Sequence, residues 1–460
     1  MEIVIAGCGK VGYTLAQQLS SEGHSVTVID QSYAKVSALT DNVDVIGVVG
    51  NCVSHKTLSQ AGVPEADLLI AVTGNDEKNL LCCSIGKKTG HVRTIARVRD
   101  PLYNSEMAFL RRTFELSDII NPELEAAQEI SRIFQFPAAI GVDTFAKGGV
   151  DLLTFQVAAG SILSGLHLKD FRRQIHSHIL VCMVSRDGEV TIPDGSFCLQ
   201  AGDLVSIVAD RSSAAAFFEK IGVVRSRIRN VMIAGGGKIS YYLIKDLLSS
   251  NISTTIIEND PARCDELTEL FPEATVILGD ATDQNLLLEE GLSSTDGFAS
   301  LTGIDEENIL LSLYANRISS DTAKTVTKIG RLSFQSLIDN LDIGSVIYPQ
   351  DLVASHIIRF VRSLDLSMRR KSGSASSFET LYKLAGGKAE ALEFRITEKS
   401  PVVGIPLSHM KIRPNVMIGC IYRHGTIITP SGSDHLEEGD SVIVVTTGVR
   451  ILDIADILVA

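Results

Sequence analysis

The chain repeats itself over nearly its whole length, and this duplication constrains the fold more than any other feature of the sequence. Small and polar residues recur at a constant separation of 229 positions, for example 279 against 50 and 308 against 79. The recurring pairs include Gly50 and Gly279, Asp67 and Asp296, Thr73 and Thr302, and Asn79 and Asn308. Repeated segments fold as similar units, so we expect the architecture of the first half to return in the second.

Each half begins with short apolar strands that alternate with amphipathic helices. In the first half, strands are predicted at 3–6, 26–29, 45–49, 68–72 and 93–98, and helices at 11–22, 78–89 and 123–136. Strands that are apolar on both faces are typical of a sheet covered by helices on both sides. The pattern predicts an α/β fold with a Rossmann-like, doubly wound parallel sheet in each half.

The later part of each half follows another pattern. Segments 152–157, 179–185, 190–192 and 204–209 read as strands, and Asp187-Gly188 between two of them is a tight-hairpin signal. We therefore expect a small β-rich α+β domain after each parallel sheet. The predicted domains are 1–140 and 226–371 for the Rossmann-like sheets, and 141–225 and 372–460 for the small domains.

The strongest chemical motif joins the first strand to the first helix. The run Gly7-Cys8-Gly9-Lys10-Val11-Gly12 fits the G-x-G-x-x-G pattern, and Asp30 closes the next strand. Glycines let the backbone approach a pyrophosphate at a helix N-terminus, and a carboxylate at Asp30 accepts hydrogen bonds from ribose hydroxyls. The negative charge favours NAD(H) or an adenosine nucleotide over NADP. The alternative is a turn that only packs its helix, with Asp30 as a helix cap.

Residues at other strand ends should line the same crevice. Thr73 and Gly74 follow the fourth strand, and Arg97 near the end of the fifth is placed to bind a phosphate. Arg99 is the weaker candidate. The alternative for Arg97 is a surface charge at a strand end.

The second half carries a related turn. Gly235-Gly236-Gly237-Lys238-Ile239 corresponds to the first motif, and Glu258 closes the next strand. Serine at position 240 replaces the third glycine, which serves helix packing rather than phosphate contact. The sequence predicts a second nucleotide site here, and the alternative is a decayed repeat kept for its architecture.

No pattern indicates catalysis or a metal. His176 and His178 share a strand face, but no third ligand follows at a motif spacing. The eight cysteines lack C-x-x-C spacing and are expected to be reduced and buried. We find no acid-base constellation beyond the crevices, so we expect no catalytic residues and no enzyme. The alternatives are an NAD-dependent oxidoreductase and a nucleotide-sensing scaffold without a membrane partner.

Charge and hydropathy limit the partners. The formal net charge of −13 argues against nucleic acid as the main partner. No run of 18 apolar residues occurs, and the chain enters a predicted strand at once, so a cytosolic location is expected. The apolar segments 352–361 and 123–136 are expected to meet a neighbouring module, in another copy or within the chain.

Several of these segments resemble a known family. The glycine turn, Asp30 and the runs 71–79 and 95–99 resemble the regulator-of-potassium-conductance (RCK, or KTN) domain, and the tandem arrangement resembles the TrkA family along essentially the full chain. One departure is Asn51-Cys52 after Gly50, where the family often has Asp-Ala.

The resemblance implies a cytoplasmic regulatory subunit, peripherally attached to the inner face of the cell membrane. Members bind NAD(H), ADP or ATP and gate a membrane potassium channel or transporter, here one that is TrkH- or TrkG-like. Gating rings of the family commonly contain eight such modules, and each chain supplies two, which implies a homotetramer. The resemblance assigns one site to Gly7, Cys8, Gly9, Lys10, Val11, Asp30, Thr73, Gly74 and Arg97, and another to Gly235, Gly236, Gly237, Lys238, Ile239 and Glu258.

Overall fold

The chain forms two compact units, each built from parts of both halves. In this computed structural model the units are Met1–Gln135 with Ser226–Ile358, and Phe136–Arg225 with Arg359–Ala460. The described residues are 1–460 except 138, 140, 146–149, 176–178, 210, 223–227, 320–322, 331–340, 342, 370–375, 386, 387, 399, 450, 452 and 460. His176 and His178, and the predicted boundaries at 225/226 and 371/372, lie outside them.

The first parallel sheet confirms the predicted doubly wound fold. Its order is β3-β2-β1-β4-β5-β6, and all neighbouring strands are parallel. The sixth strand was not predicted, because it is only three residues long. The strands are β1 (Glu2–Ala6), β2 (Ser25–Asp30), β3 (Ile46–Val49), β4 (Leu68–Ala71), β5 (Arg93–Arg97) and β6 (Asp118–Ile120). The helices are α1 (Lys10–Ser21), α2 (Tyr33–Thr40), α3 (His55–Gln60), α4 (Asp76–Thr89), α5 (Pro101–Asn104), α6 (Met107–Thr113) and α7 (Pro122–Gln135).

An antiparallel sheet follows, in the order β10-β9-β11-β8-β7. Asp187 and Gly188, with φ of 52° and 80°, join two of its strands in the predicted hairpin, because such turns need left-handed residues. The strands are β7 (Gly141–Phe145), β8 (Val150–Gln156), β9 (Leu180–Arg186), β10 (Glu189–Thr191) and β11 (Leu204–Ala209), and the helices are α8 (Leu168–Ile175) and α9 (Arg211–Lys220).

The second half repeats both sheets. The parallel sheet has the order β14-β13-β12-β15-β16-β17, and the antiparallel sheet has the order β18-β19-β22-β20-β21. The parallel strands are β12 (Asn230–Ala234), β13 (Ser253–Glu258), β14 (Thr275–Leu278), β15 (Gly297–Ser300), β16 (Lys324–Lys328) and β17 (Ser345–Ile347). The helices are α10 (Lys238–Ser249), α11 (Pro261–Leu270), α12 (Gln284–Glu289), α13 (Asp305–Ile318) and α14 (Pro349–Arg369). The antiparallel strands are β18 (Ser376–Leu384), β19 (Ala389–Ile396), β20 (Val416–Arg423), β21 (Thr426–Ile428) and β22 (Ser441–Thr446).

The two parallel sheets share a helix across the repeat. Ala126, Ala127, Ile130 and Phe134 of α7 are buried in one core cluster with residues of β12 and α10. At Gly297 a Cβ atom would lie 2.9 Å from the Phe134 ring, so glycine lets the ring approach the second sheet closely. The apolar face of α7 therefore packs against the second parallel sheet and its helix α10 within the same chain.

In the unit that contains the antiparallel sheets, the two sheets share a core. Phe145 and Cys182 from the first sheet are buried in one cluster with Leu384 and Cys420 from the second. The rings of Phe145 and Tyr382 meet edge to face, with centroids 4.5 Å apart. Across the described part of the chain, no helix combines the length and apolar character needed to cross a membrane.

Candidate functional site

A cavity of about 670 Å³ lies at the carboxyl ends of the first parallel sheet. The strand order reverses between β1 and β4, and crevices at such switch points are where open α/β sheets bind ligands. Residues at the carboxyl ends of four strands line the cavity: Gly7 follows β1, Gly50 follows β3, Val72 follows β4, and Arg97 is the last residue of β5. The sheet topology therefore brings together the strand ends that the sequence had singled out.

The glycine turn forms one side of this cavity. Gly7 has φ of 114° and donates its N–H to the carbonyl of Ile29 at 2.8 Å. Gly9 is the N-cap of α1 and has no side chain that could cap the helix. The N–H groups of the first helical turn are therefore left to bind an anion at the end of the helix that borders the cavity. A Cβ at Gly12 would lie 1.8 Å from the Gly7 carbonyl oxygen, which explains the third glycine. This turn has the backbone geometry that a pyrophosphate requires.

The six motif residues do not all reach the cavity. Gly7, Gly9, Lys10 and Val11 line it, whereas Cys8 and Gly12 are not part of its wall. Cys8 contributes its backbone N–H to the neighbouring carboxylate, and Gly12 packs beneath the turn. The two residues thus shape the turn rather than contact the space that a ligand would fill.

Asp30 lines the cavity and holds the glycine turn. Its Oδ2 accepts the N–H of Cys8 at 2.9 Å, and its Oδ1 accepts the N–H of Ser32 at 2.9 Å. The N-cap of α2 is Ser32, whose hydroxyl accepts the N–H of Lys35. A carboxylate has about four lone-pair sites, so capacity remains for ribose hydroxyls. Asp30 is therefore not the N-cap of α2. In addition to the predicted ribose contact, it has a structural role, which is to hold the glycine turn through the N–H of Cys8.

Asn79 fixes the ends of two strands at the cavity. The side chain is fully buried, and its Oδ1 accepts both the N–H and the hydroxyl of Thr73, at 2.8 and 2.6 Å. Its Nδ2 donates to the carbonyl of Arg97 at 2.8 Å. Thr73 and Gly74 line the cavity as predicted. Asn79 does not line it, but its hydrogen bonds hold Thr73 and Arg97 in place.

Two guanidinium groups at the end of β5 line the cavity. Arg97 donates to the Thr73 carbonyl, and among the described residues its buried Nε has no hydrogen-bond partner. Arg99, the weaker candidate from sequence, donates to the Gly74 carbonyl at 2.7 Å and lies 3.9 Å from Glu123. Burial, and then the charge of Arg99, lower the pKa of Arg97, while burial raises the pKa of Glu123. Cations beside a glycine turn suit an anionic phosphate.

Residues of the second repeat complete the first cavity, which sequence reasoning missed. Pro349 and Gln350 line it, and Nζ of Lys10 donates to the carbonyl of Gly330 at 2.6 Å. The recurrence of Pro122-Glu123 as Pro349-Gln350 was the available signal, since both pairs lie in this wall. Lys35 and Lys78 also line the cavity; Lys78 lies within the family-like run 71–79, whereas Lys35 lies in none of the recognised motifs.

The second turn has similar geometry with compensating changes. Gly235 has φ of 97°, and Glu258 accepts the N–H of Gly236 at 2.6 Å. A Cβ at Gly236 would lie 2.9 Å from Glu258 Oε2, so the longer acid occupies space that Cys8 fills in the first repeat. Ser240 is fully buried and donates to the Gly235 carbonyl, which accommodates serine in place of the third glycine.

The surroundings of the second turn differ from those of the first. Arg263 donates from Nε to the carbonyl of Gly236 at 2.6 Å and lies over the turn. Lys238 forms an ion pair with Asp100 of the first repeat at 3.1 Å, and Ile239 is buried. The structure places all six predicted residues at this turn, with Arg263 as an additional cation.

Family comparison agrees with the duplicated architecture. The TrkA-N domain model matches residues 3–122 and again residues 231–349. The TrkA-C domain model matches residues 152–222 and 391–459. Each TrkA-N match spans one parallel sheet, and each TrkA-C match spans most of one antiparallel sheet, without β7 in the first and β18 in the second.

Full-length relatives and solved structures are similar to the whole chain. The Trk system potassium uptake protein TrkA of Haemophilus influenzae is 30% identical over 451 residues, covering 96% of this chain and 95% of that protein. The TrkA homolog 1 of Methanosarcina mazei is 31% identical over 452 residues, covering 96% and 97%. The crystal structure of the GsuK RCK domain aligns with a TM-score of 0.63 at 17% identity, covering 97% of this chain and 92% of that one. The GsuK channel bound to NAD aligns with a TM-score of 0.62 at 18% identity, covering 97% and 77%.

Proposed function

We propose that this chain, which belongs to the TrkA family, is a nucleotide-binding regulatory subunit of a potassium uptake system and not an enzyme. It binds NAD(H), or ADP or ATP, and gates a TrkH- or TrkG-like membrane potassium channel or transporter. It acts in the cytoplasm, attached peripherally to the inner face of the cell membrane. The names of two full-length relatives as potassium uptake proteins support this assignment.

The observation that carries the proposal is the composition of the first cavity. It combines a glycine turn at a helix N-terminus, the carboxylate of Asp30 and the cations Arg97 and Arg99 in one space of about 670 Å³. The turn and cations suit the phosphates of a nucleotide, and the acid suits its ribose. The first site is therefore assigned to Gly7, Gly9, Lys10, Val11, Asp30, Thr73, Gly74 and Arg97, with Cys8 and Gly12 included as the residues that shape its turn.

A second nucleotide site is proposed at the matching turn. It comprises Gly235, Gly236, Gly237, Lys238, Ile239 and Glu258, and the positive φ of Gly235 supports the same phosphate-binding geometry. Arg263 must share this space with a ligand, because its side chain already contacts the Gly236 carbonyl. We also propose the four domains 1–140, 141–225, 226–371 and 372–460, one for each sheet.

Titration calorimetry on the purified full-length chain tests the nucleotide assignment. NADH, NAD⁺, ADP and ATP are titrated in parallel, and we expect saturable binding of at least one of them. Absence of binding by all four would remove the proposal. If the chain steadily oxidises NADH with a defined small molecule, and a substitution at Thr73 abolishes this activity, the regulatory function is wrong and the chain is an oxidoreductase.

The partner is tested by potassium flux. A TrkH-like subunit is reconstituted in vesicles, and potassium uptake is measured with and without this chain and the nucleotide that binds it. We expect the chain to change the flux in a nucleotide-dependent manner. A flux that is the same in all conditions would contradict a gating role.

We further propose that four chains assemble into a ring of eight nucleotide-binding modules. Light scattering coupled to size exclusion should report a mass near four times 49.5 kDa. The alternative is suggested by α7, whose apolar face is already covered by the second repeat of its own chain. A monomeric mass with and without nucleotide would refute the ring.

A further inference from the structure

The side chain of Arg263 lies against the second glycine turn and is held there at three points. Its Nε donates to the carbonyl of Gly236 at 2.6 Å, and its Nη2 donates to the carbonyl of Gly237 at 3.5 Å. Its Nη1 forms an ion pair of 2.6 Å with Oε2 of Glu266, three residues later in α11. Only 21% of the Arg263 side chain is exposed. The guanidinium is therefore fixed over the turn of the proposed second nucleotide site.

The first repeat provides an internal comparison. Lys35 is the counterpart of Arg263, and Ala38 is the counterpart of Glu266, each 228 positions earlier, which is also the offset between the two glycine turns. Lys35 is exposed and lines the first cavity, and the methyl group of Ala38 offers no carboxylate to anchor it. A positive charge is thus common to both repeats, whereas the anchored guanidinium belongs to the second alone.

The guanidinium lies on the side of the crevice that is open in the first repeat. Gly9, the counterpart of Gly237, borders the first cavity together with Lys35. In the second repeat the group that contacts Gly237 is the guanidinium of Arg263. A phosphate that binds the N–H groups at the start of α10 must enter beside this turn. Its entry therefore requires that the guanidinium move.

The contacts of Arg263 oppose this movement. Three of its five N–H donors are used within the chain, and its charge is paired with that of Glu266. Hydrogen bonds from a charged donor are stronger than neutral ones, so releasing the carbonyl of Gly236 works against ligand binding. The ion pair adds little stability by itself, since 56% of the Glu266 side chain is exposed. Its effect is to orient the guanidinium toward the turn.

We propose that Arg263, oriented by Glu266, sets the nucleotide affinity of the second site by closing its glycine turn. A nucleotide binds there only when it moves the guanidinium away from the carbonyl of Gly236. This inference rests on the proposed function, because it concerns the second of the two nucleotide sites. It makes the sites unequal, since the first is open and the second fills at a higher nucleotide concentration.

The anchoring of the guanidinium is tested without a ligand. The full-length chain is treated with phenylglyoxal, which modifies accessible arginine side chains, and mass spectrometry follows the modification of Arg263. We expect slow modification in the natural chain and severalfold faster modification in Glu266→Ala, which has the residue of the first repeat. Glu269→Ala removes an exposed carboxylate of the same helix and is the control, with the natural rate expected. Equal rates in the natural chain and in Glu266→Ala overturn the inference.

Calorimetry with NADH then measures the effect on affinity, using two double variants that exchange residues between the repeats. Arg263→Lys with Glu266→Ala keeps the charge and opens the second turn, and Lys35→Arg with Ala38→Glu closes the first. We expect the former to bind NADH about tenfold more tightly at the second site, which corresponds to about 1.4 kcal/mol. The latter should bind NADH about tenfold more weakly at the first site. The added substitution Glu258→Ala removes the second-site heat and so identifies it.

The outcomes separate this inference from the proposed function. Weaker second-site binding in the chain with Arg263→Lys and Glu266→Ala would show that Arg263 holds the nucleotide, and unchanged binding would show that it does not control affinity. Either result overturns the inference, while NADH binding at the first site leaves the proposed function intact. If neither the natural chain nor any variant binds NADH, NAD⁺, ADP or ATP, the proposed function fails and the inference fails with it.

Discussion

Nε2 of His356, in the second repeat, lies 3.0 Å from Oδ2 of Asp118, in the first. Nδ1 of the same ring lies 2.7 Å from Oε1 of Glu125. Both ring nitrogens face carboxylates, so both must carry a proton to donate hydrogen bonds. Helix α14 is thus joined to β6 and α7 by an imidazolium between two acids. Burial lowers the pKa of His356, but the hydrogen bonds to Asp118 and Glu125 outweigh burial and raise it to about 9.

We predict that His356→Gln destabilises the unit of parallel sheets at pH 6 by about 1 to 2 kcal/mol, a value reduced for the exposed third of the side chain. The folded-state pKa lies above the unfolded value of 6.5, so the ion pair contributes fully below pH 6.5 and its contribution is lost as pH rises through about 9. Urea unfolding across this range should show the natural chain and the variant converging.

The control for this prediction is His91→Gln, because His91 is exposed. It should leave the free energy of unfolding within about 0.5 kcal/mol of the natural value at each pH. A constant difference between His356→Gln and the natural chain from pH 6 to pH 10 would contradict the protonation argument.

A second prediction concerns Asn79, whose amide holds Thr73 and Arg97 together. Asn79→Ala leaves the half-buried N–H of Thr73 and the half-buried carbonyl of Arg97 without these partners, and we expect a loss of about 1 to 3 kcal/mol in the free energy of unfolding. Nucleotide affinity at the first site should fall as well, because Thr73 and Arg97 are no longer fixed. Chemical denaturation and calorimetry measure the two effects.

Asn308 provides the matched control. It makes the same contacts in the second repeat, accepting the N–H of Thr302 at 2.8 Å and donating to the carbonyl of Lys328 at 3.0 Å. Asn308→Ala should therefore cost a similar free energy of unfolding and leave the first site unchanged. Equal losses of first-site affinity in the two variants would refute the positioning role.

The sequence predicted the parts of the fold that follow from local pattern. Alternating apolar strands and the glycine turn were sufficient for the parallel sheet and for the position of Asp30, and Asp187-Gly188 was sufficient for a hairpin. Contacts between repeats were not predicted, because periodicity along one helix does not reveal its partner. The contact of Lys10 with Gly330 had no signal in the sequence, whereas Gln350 was missed as a cavity residue although its correspondence to Glu123 was visible.

A third prediction tests the two acids at the strand ends separately. Asp30→Ala should weaken nucleotide binding at the first site by about 1 to 3 kcal/mol, because the ribose hydroxyls lose their acceptor. Glu258→Ala should weaken only the second site. Calorimetric stoichiometry and affinity distinguish the two losses. Asp41→Ala, a change at the exposed end of α2, is the control and should leave both affinities unchanged. An unchanged NADH affinity in Asp30→Ala would remove the ribose assignment.

The last prediction concerns the ion pair that supports each antiparallel sheet. Arg186 contacts buried Asp203 through two hydrogen bonds of 2.7 and 2.8 Å, and Asp203 also accepts the N–H of Gln200 at 2.8 Å. Arg423 and Asp440 repeat this arrangement with two hydrogen bonds of 2.8 Å. Burial raises the pKa of Asp203, but the hydrogen bonds from Arg186, the hydrogen bond from Gln200 and the charge of Arg186 together outweigh it, and the pKa lies below its ordinary value of 3.8.

Asp203→Asn keeps the shape and removes the charge, and we expect a loss of about 1 to 3 kcal/mol in the free energy of unfolding at pH 7. Because the folded-state pKa is lowered, the stabilisation is present above the unfolded value of 3.8 and disappears as pH falls through the folded value. The natural chain and the variant should therefore converge in acid. The control is Asp170→Asn, which breaks an ion pair with the exposed Arg173 and should cost less than about 0.5 kcal/mol. Equal effects of the two substitutions at pH 7 would show that the buried pair contributes no more than a surface contact.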